Sequence, residues 1–178
     1  MKEDNKLEKR SQEKIINIEI YTDGSLKKQG QQSTFGGWAY IAVQDGKELF
    51  CNCGSEYGTT NQRMELTAIK EALNYAKTIR KSSEKVIIYS DSAYAINCYL
   101  QEWYINWQAN GWRNANKQEV ANKDLWREII PYFDNFWYDF RKVKGHNGNY
   151  WNEECDKLAQ SSAELMKKNW RGLKNYDA

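Results

Sequence analysis

The sequence predicts an α/β protein: one domain in which a mixed sheet carries helices on its flanks. Three observations predict it. The β-branched, alternating stretches cluster early in the chain and the helical periodicities follow, in the order three strands, helix, strand, helices, strand, helix. The stretch KVIIYSDS (85–92) is short and wholly apolar in its first half, the pattern of a strand buried on both faces. A chain of 178 residues, 40% hydrophobic and 14% aromatic, is long enough to bury a core without staples and of a length that usually makes one domain.

The elements follow in order. Residues 1–14, MKEDNKLEKRSQEK, mix both charges without apolar periodicity and are expected to be a disordered charged lead. IINIEIYTDGS (15–25) alternates and reads as a strand ending at Asp-Gly-Ser. GGWAYIAVQDGKELFCNCGSE (36–56) reads as two strands joined at Asp45-Gly46, a hairpin signal. NQRMELTAIKEALNYAKTIR (61–80) is a helix, 85–92 the buried strand, and 93–107 a second helix. After a polar stretch, KDLWREII (123–130) is a short helix ended or kinked at Pro131. NFWYDFRKVKG (135–145) is the last strand and 149–168 the last helix.

No apolar run approaches the ~20 residues that span a bilayer, and the first residues lack the apolar centre of a secretory signal. A soluble, cytoplasmic protein with no membrane partner is expected. The net charge is only +2, so nucleic-acid binding has to be argued from local arrangement, not from bulk charge. Cys51, Cys53, Cys98 and Cys155 are too scattered for a disulfide framework or a four-ligand zinc site, and are expected to be reduced thiols.

The acids carry the functional reading. Asp23 and Asp91 stand at the carboxyl ends of the first and fourth strands, where open α/β sheets bind ligands. If those strands are neighbours, the two carboxylates meet. The helix at 61–80 buries Ile69, Ala72, Leu73, Ala76 and Ile79, and one turn back along that stripe lies Glu65. An unpaired charge there is costly, so a cation is expected to face it. In the last helix Asp156 lies in line with Asn152, Ala159 and Ala163, again half-buried. Crowded carboxylates raise one another's pKa, and a pair of divalent cations ~3.5–4 Å apart would relieve them and serve phosphodiester chemistry.

Together IYTDGS, TTNQRMEL, YSDSAY and VKGHNG followed by WNEECDKLA resemble the type 1 ribonuclease H family over about residues 15–165. The first and third segments are weak signals singly; the Lys-Gly-His loop with Asn-Glu and Asp-x-Leu-Ala behind it is strong. The resemblance implies a five-stranded mixed sheet with helices on both sides and hydrolysis of the RNA strand of RNA–DNA hybrids, leaving 5′-phosphate and 3′-hydroxyl ends. It implies two Mg²⁺ ions, with Mn²⁺ as a substitute, held by Asp23, Glu65, Asp91 and Asp156. His146, the chain's single histidine, resembles the mobile-loop histidine that assists proton movement or product departure. Glu65 and groups near Gly24, Ser25 and Met64 would sense the 2′-hydroxyl, and Asn61 and Gln62 supply polar groups at the minor groove. The enzyme would act as a monomer without an obligate protein partner.

On this frame residues 15–168 form the domain, 93–126 a handle-like helical region, and 169–178 a basic tail. The family's glycine- and proline-rich turn after Asp-Gly-Ser is replaced by LKKQGQQSTFGG, and Ala93 stands where an amide often follows Asp-Ser. The handle segment 101–125 sets Arg113, Lys117 and Lys123 against Glu102, Glu119 and Asp124, a net charge of zero. A shallow salt dependence is expected from it. Most handle tryptophans are expected to knit it to the body, with Trp103 the exposed one, free to stack on the substrate. Two alternatives remain at this level: a non-catalytic hybrid-binding module, or a DNA-processing nuclease on the same fold.

Overall fold

The computed structural model describes residues 16–30, 33–143 and 148–174, with side chains for all of these except 16 and 171–174. The charged lead at 1–14 and the loop that carries His146 lie outside the described residues. Five strands form one mixed sheet: β1 (Ile16–Gln29), β2 (Ser33–Gln44), β3 (Lys47–Tyr57), β4 (Glu84–Ser90) and β5 (Tyr138–Lys142), in the spatial order β3-β2-β1-β4-β5. The first three pair antiparallel, while β4 lies parallel to β1 and β5 parallel to β4. Asp45 and Gly46 both take positive φ (51° and 73°), the geometry of a two-residue hairpin turn, and join β2 to β3 as their sequence signal predicts.

Helices cover both faces. On one side α1 (Asn61–Ile79) buries Met64, Leu66, Ala68, Ile69, Ala72, Leu73 and Ala76, most of them against Ile18, Ile20, Val86 and Ile88 of the central strands. Thr60 caps it, its hydroxyl accepting from Arg63 N. On the other side α5 (Tyr150–Lys174) lays Cys155 and Ala159 on Tyr21, Ala39, Ile41 and Val43. A Cβ at Gly37 of β2 would come within 2.0 Å of Ala159 O, so only glycine lets α5 sit this low on the sheet.

Several boundaries differ from the sequence expectation. β1 continues past Asp-Gly-Ser to Gln29, because Gly24–Gln29 pair with Ser33–Trp38 of β2. The helix expected over 93–107 is two, α2 (Ala93–Leu100) and α3 (Trp103–Ala109), broken where Glu102 adopts a left-handed φ of 54°. The bend turns Tyr104 and Trp107 into the core. The last strand is only Tyr138–Lys142, since Tyr138 N closes a turn on Asn135 O just before it. The last helix runs on to Lys174, six residues past its expected end, and Trp170 stacks on Tyr57 at 4.4 Å.

The region between β4 and β5 holds α2, α3, α4 (Lys123–Ile129) and a single 3-10 turn at Ile130–Tyr132. Trp126, fully buried, is its hub: the ring meets Tyr94, Trp107 and Phe133 edge-on, and its Nε1 donates to Tyr94 Oη at 3.2 Å. Arg63 of α1 ties this region to the body by donating to both carboxylate oxygens of Asp124 (3.1 and 2.8 Å). Truncating Trp126 to alanine removes the hub; it is expected to cost about 3–5 kcal/mol, read as a lowered denaturation midpoint.

Candidate active site

Parallel pairing of β1 with β4 ends at Thr22↔Ser90. Asp23 and Asp91 are the next residues on the two strands, so both carboxylates leave the sheet where its neighbouring strands part. Asp23 is only 7% exposed. Its Oδ1 accepts from Gly24 N at 2.7 Å. Burial, and then the charges of Asp91, Asp156 and Glu65, push its carboxyl up from 3.8 to about 8. The residues singled out from strand ends and helix stripes therefore act on one another electrostatically.

Glu65 reaches this point because β1 and α1 touch at Gly24. A Cβ there would meet Glu65 N at 2.3 Å and the Met64 carbonyl carbon at 2.7 Å. The Glu65 carboxylate receives Asn61 Nδ2 at 2.7 Å on one oxygen and the Ser92 hydroxyl on the other. No Lys or Arg among the described residues makes a salt bridge with Glu65; neutral donors hold it. Burial raises its pKa, with Asp91 adding to the rise and the two hydrogen bonds opposing it. Asp156, half-buried on α5, is held by Gln160 Nε2 at 2.8 Å from each carboxylate oxygen. Beneath them Cys155 donates its thiol towards Tyr21 O and Ala39 O, and burial lifts its pKa well above the usual thiol range.

Three of these supporting residues do not stand out in sequence. Ser92 follows Asp91 directly and caps α2, so its second role at Glu65 is hidden behind a common capping signal. Gln160 lies four residues after Asp156, a spacing that helical geometry makes a contact. Asn152 is 2% exposed one turn before Asp156, and its Oδ1 has no hydrogen-bond partner among the described residues. Of the proposed substrate contacts, Asn61 and Gln62 are exposed, Met64 is buried, and Gly24 and Ser25 are half-buried beside Asp23. Trp103 is half-buried, contrary to the exposed position expected of it. Its Nε1 donates to Gln101 at 3.0 Å, and with Gln62, Tyr94 and Trp107 it lines a cleft of about 580 Å³.

The donor set fits a hard divalent cation: it is all carboxylate oxygen, buried enough to carry an unrelieved excess of negative charge. Among the described residues no three acidic, histidine or cysteine side chains are drawn into a closed cage, so closure on a cation would need side-chain adjustment.

Comparison with known proteins agrees with this architecture. The family profile RNase H matches residues 16–164. A ribonuclease H of Syntrophomonas wolfei is 46% identical over 151 residues, covering 84% of this chain and 97% of that protein. One from Treponema denticola is 41% identical over 162 residues, covering 85% and 99%. Among solved structures, LC9-RNase H1, a type 1 RNase H with the type 2 active-site motif, is 25% identical with a TM-score of 0.63, over 84% of this chain and 73% of that one. The PFV RNase H domain is similar in fold, at 22% identity and a TM-score of 0.71 over 85% and 96%. The foamy viral protease-reverse transcriptase solved with an RNA/DNA hybrid has a TM-score of 0.72 at 20% identity over 82% of this chain, which spans only 20% of that much longer one.

Sheet order, flanking helices and relatives together define a ribonuclease, a hydrolase of nucleic acid. More particularly, the chain belongs to the RNase H family: it is an RNA–DNA hybrid ribonuclease, of a family that generally uses divalent metal ions. Among the described residues no helix is long and apolar enough to cross a membrane.

Proposed function

We propose that this ribonuclease cuts the RNA strand internally at the Asp23 centre, leaving 5′-phosphate and 3′-hydroxyl ends, with Asp23, Glu65, Asp91 and Asp156 holding two Mg²⁺ ions that Mn²⁺ can replace. The observation that carries the reading is the Asp23 carboxyl, pushed to about 8 by burial and by those same three neighbours. A site this crowded with negative charge is poised for cations. When bound, the pair would supply Lewis-acid chemistry to the attacking water and the departing 3′-oxygen.

The chain's own groups divide the remaining work. Asp23 is fixed at Oδ1 by Gly24 N–H, which leaves Oδ2 to serve the cations. Asn61 and Ser92 hold Glu65 in place, and with Gly24, Ser25 and Met64 nearby it can meet the 2′-hydroxyl that marks RNA. Asn61 and Gln62, exposed at the first turn of α1, face the minor groove. Trp103 offers its ring to the DNA strand from the cleft wall. Gln160 steadies Asp156, whose carboxylate would hold a cation, by donating to both of its oxygens. His146 moves a proton or speeds product departure late in the cycle. The protein works as a cytoplasmic monomer.

Digestion of a hybrid labelled on either strand tests this, with and without a chelator. RNA-strand cleavage that Mg²⁺ restores after chelation is expected; cutting of the DNA strand, or of a duplex without ribonucleotides, overturns it. His146→Ala is expected to slow turnover by roughly 10²-fold, within the usual range for a lost proton-transfer group, while hybrid binding stays intact. Undiminished turnover removes His146 from the mechanism.

A further inference from the structure

The cations near the handle are largely engaged within the protein. Lys123 pairs with Glu119 at 2.8 Å, Arg63 with Asp124 and Glu56, and Arg127 lies over the Trp112 ring. The segment 101–125 carries no net charge. A polyanionic duplex therefore finds little excess charge there, although phosphate neutralisation supplies most non-specific affinity for nucleic acid.

A different cationic surface stands on the other flank of the carboxylates. The outer half of β1 carries Lys27 and Lys28 beyond Asp23, and the last turns of α5 carry Lys167 and Lys168 beyond Asp156. Packing brings the two together: Lys167 Nζ donates to Lys28 O at 3.0 Å. Lys27 and Lys168 line one open groove of about 510 Å³ with Gln160, Ser161, Leu165 and Glu164. Among the described residues no carboxylate lies in ion-pair range of any of these four lysines, Glu164 included. This surface owes its existence to one boundary that runs past the sequence expectation, β1 extending to Gln29, which brings Lys27 and Lys28 alongside the Lys167 and Lys168 of the expected last helix.

We propose that Lys27, Lys28, Lys167 and Lys168 form a phosphate-binding ridge that grips the hybrid backbone beyond the cleaved step, on the flank away from the handle. The inference rests on the hybrid-cleavage reading. The spacing suits it. Lys27 is four strand residues from Asp23, about 13 Å, and Lys168 is twelve helical residues from Asp156, about 18 Å. With one phosphate of each strand per about 3.4 Å of duplex axis, the ridge meets the backbone roughly four to five nucleotides from the carboxylates. The ridge would thus supply the salt-sensitive part of binding that the neutral handle lacks.

The test is the triple variant Lys27→Gln, Lys28→Gln and Lys168→Gln; Lys27 and Lys168 line the groove, and Lys28 is exposed at the next strand position. Lys167 is left in place because it holds the Lys28 carbonyl. On a 20-base-pair hybrid the slope of log(kcat/KM) against log salt should become shallower by about 2–3, at ~0.9 per lost phosphate contact. KM should rise roughly tenfold at 0.15 M salt, with kcat unchanged. The matching arginine triple should keep the wild-type slope. On a hybrid that ends within two base pairs of the cleaved step on the ridge side, variant and wild type should coincide. A control, Lys117→Gln with Lys123→Gln, should leave the slope as it is. An unchanged slope in the ridge triple, or a slope lost instead in the handle control, overturns the ridge while wild-type cleavage stands. Failure of the wild type to cut the hybrid at all sinks the underlying reading instead.

Discussion

Replacing Asp23 by asparagine is expected to abolish hybrid cleavage and, in the same protein, to raise the melting temperature measured without metal. Both effects have one origin. The Asp23 carboxyl is buried and surrounded by Asp91, Asp156 and Glu65, which lift its pKa from 3.8 to about 8. Between those values the folded protein holds a proton that the unfolded chain has released. The stability this group contributes is fully present below pH ~4 and drains away as pH rises towards about 8. Asparagine keeps the acceptor for Gly24 N–H but never acquires the charge. Above pH 8 the variant should exceed metal-free wild type by a few kcal/mol, about 2–4, or roughly 5–15 °C in a domain of this size. At pH 4 the two should melt together. Saturating Mg²⁺ should close the gap from the wild-type side, because a cation relieves the same repulsion. Activity should fall at least ~10³-fold, since a carboxylate that would hold the cations has lost its charge. Equal melting temperatures at pH 8 and above would show that the carboxylates do not crowd one another as described.

Gly24→Ala is expected to damage the enzyme nearly as much while leaving every carboxylate in the chain. The new methyl would lie 2.3 Å from Glu65 N and 2.7 Å from the Met64 carbonyl carbon. Both are backbone atoms, so no rotamer relieves the clash; the first turn of α1 must move off β1. Glu65 travels with that turn, and Ser92 and Asn61, its hydrogen-bond partners, lose their alignment. A displacement near 1 Å between positioned groups costs about 10²-fold in rate, and overpacking of this kind costs about 1–3 kcal/mol of stability. The measurement is kcat with and without added Mn²⁺ alongside a thermal melt. Wild-type kcat in a folded variant would mean that α1 can retreat without disturbing Glu65.

Particular residues show how far the sequence reached. Val86, Ile87 and Ile88 in an unbroken run announce a strand covered on both faces, and the structure buries all three. Asp45-Gly46 announces its own turn, because few residue pairs tolerate two positive φ values. The stripe through Ile69, Leu73 and Ala76 leads back one turn to Glu65, since 3.6-residue periodicity is a local property of the helix. The four acids were legible for the same reason: charge at a strand end or on an apolar stripe conflicts with its surroundings wherever the chain later goes. Trp103 was less legible, because whether a handle tryptophan is exposed depends on what Gln101 and Tyr94 do around it.

What the sequence alone determined, then, is the set of elements, the family they resemble and the charged groups that need an explanation, because periodicity, turn chemistry and misplaced charge act within a few residues of one another. Tertiary structure decided how long β1 and α5 run, where the helix after β4 breaks, and which side chains support the carboxylates. Gly24–Gln29 are strand because β2 is there to pair with them, and Lys28 meets Lys167 across 139 positions of chain. Such partners lie too far apart in sequence for any local pattern to encode, so only the packed chain brings Gln160, Ser92 and the lysine ridge to the places they occupy.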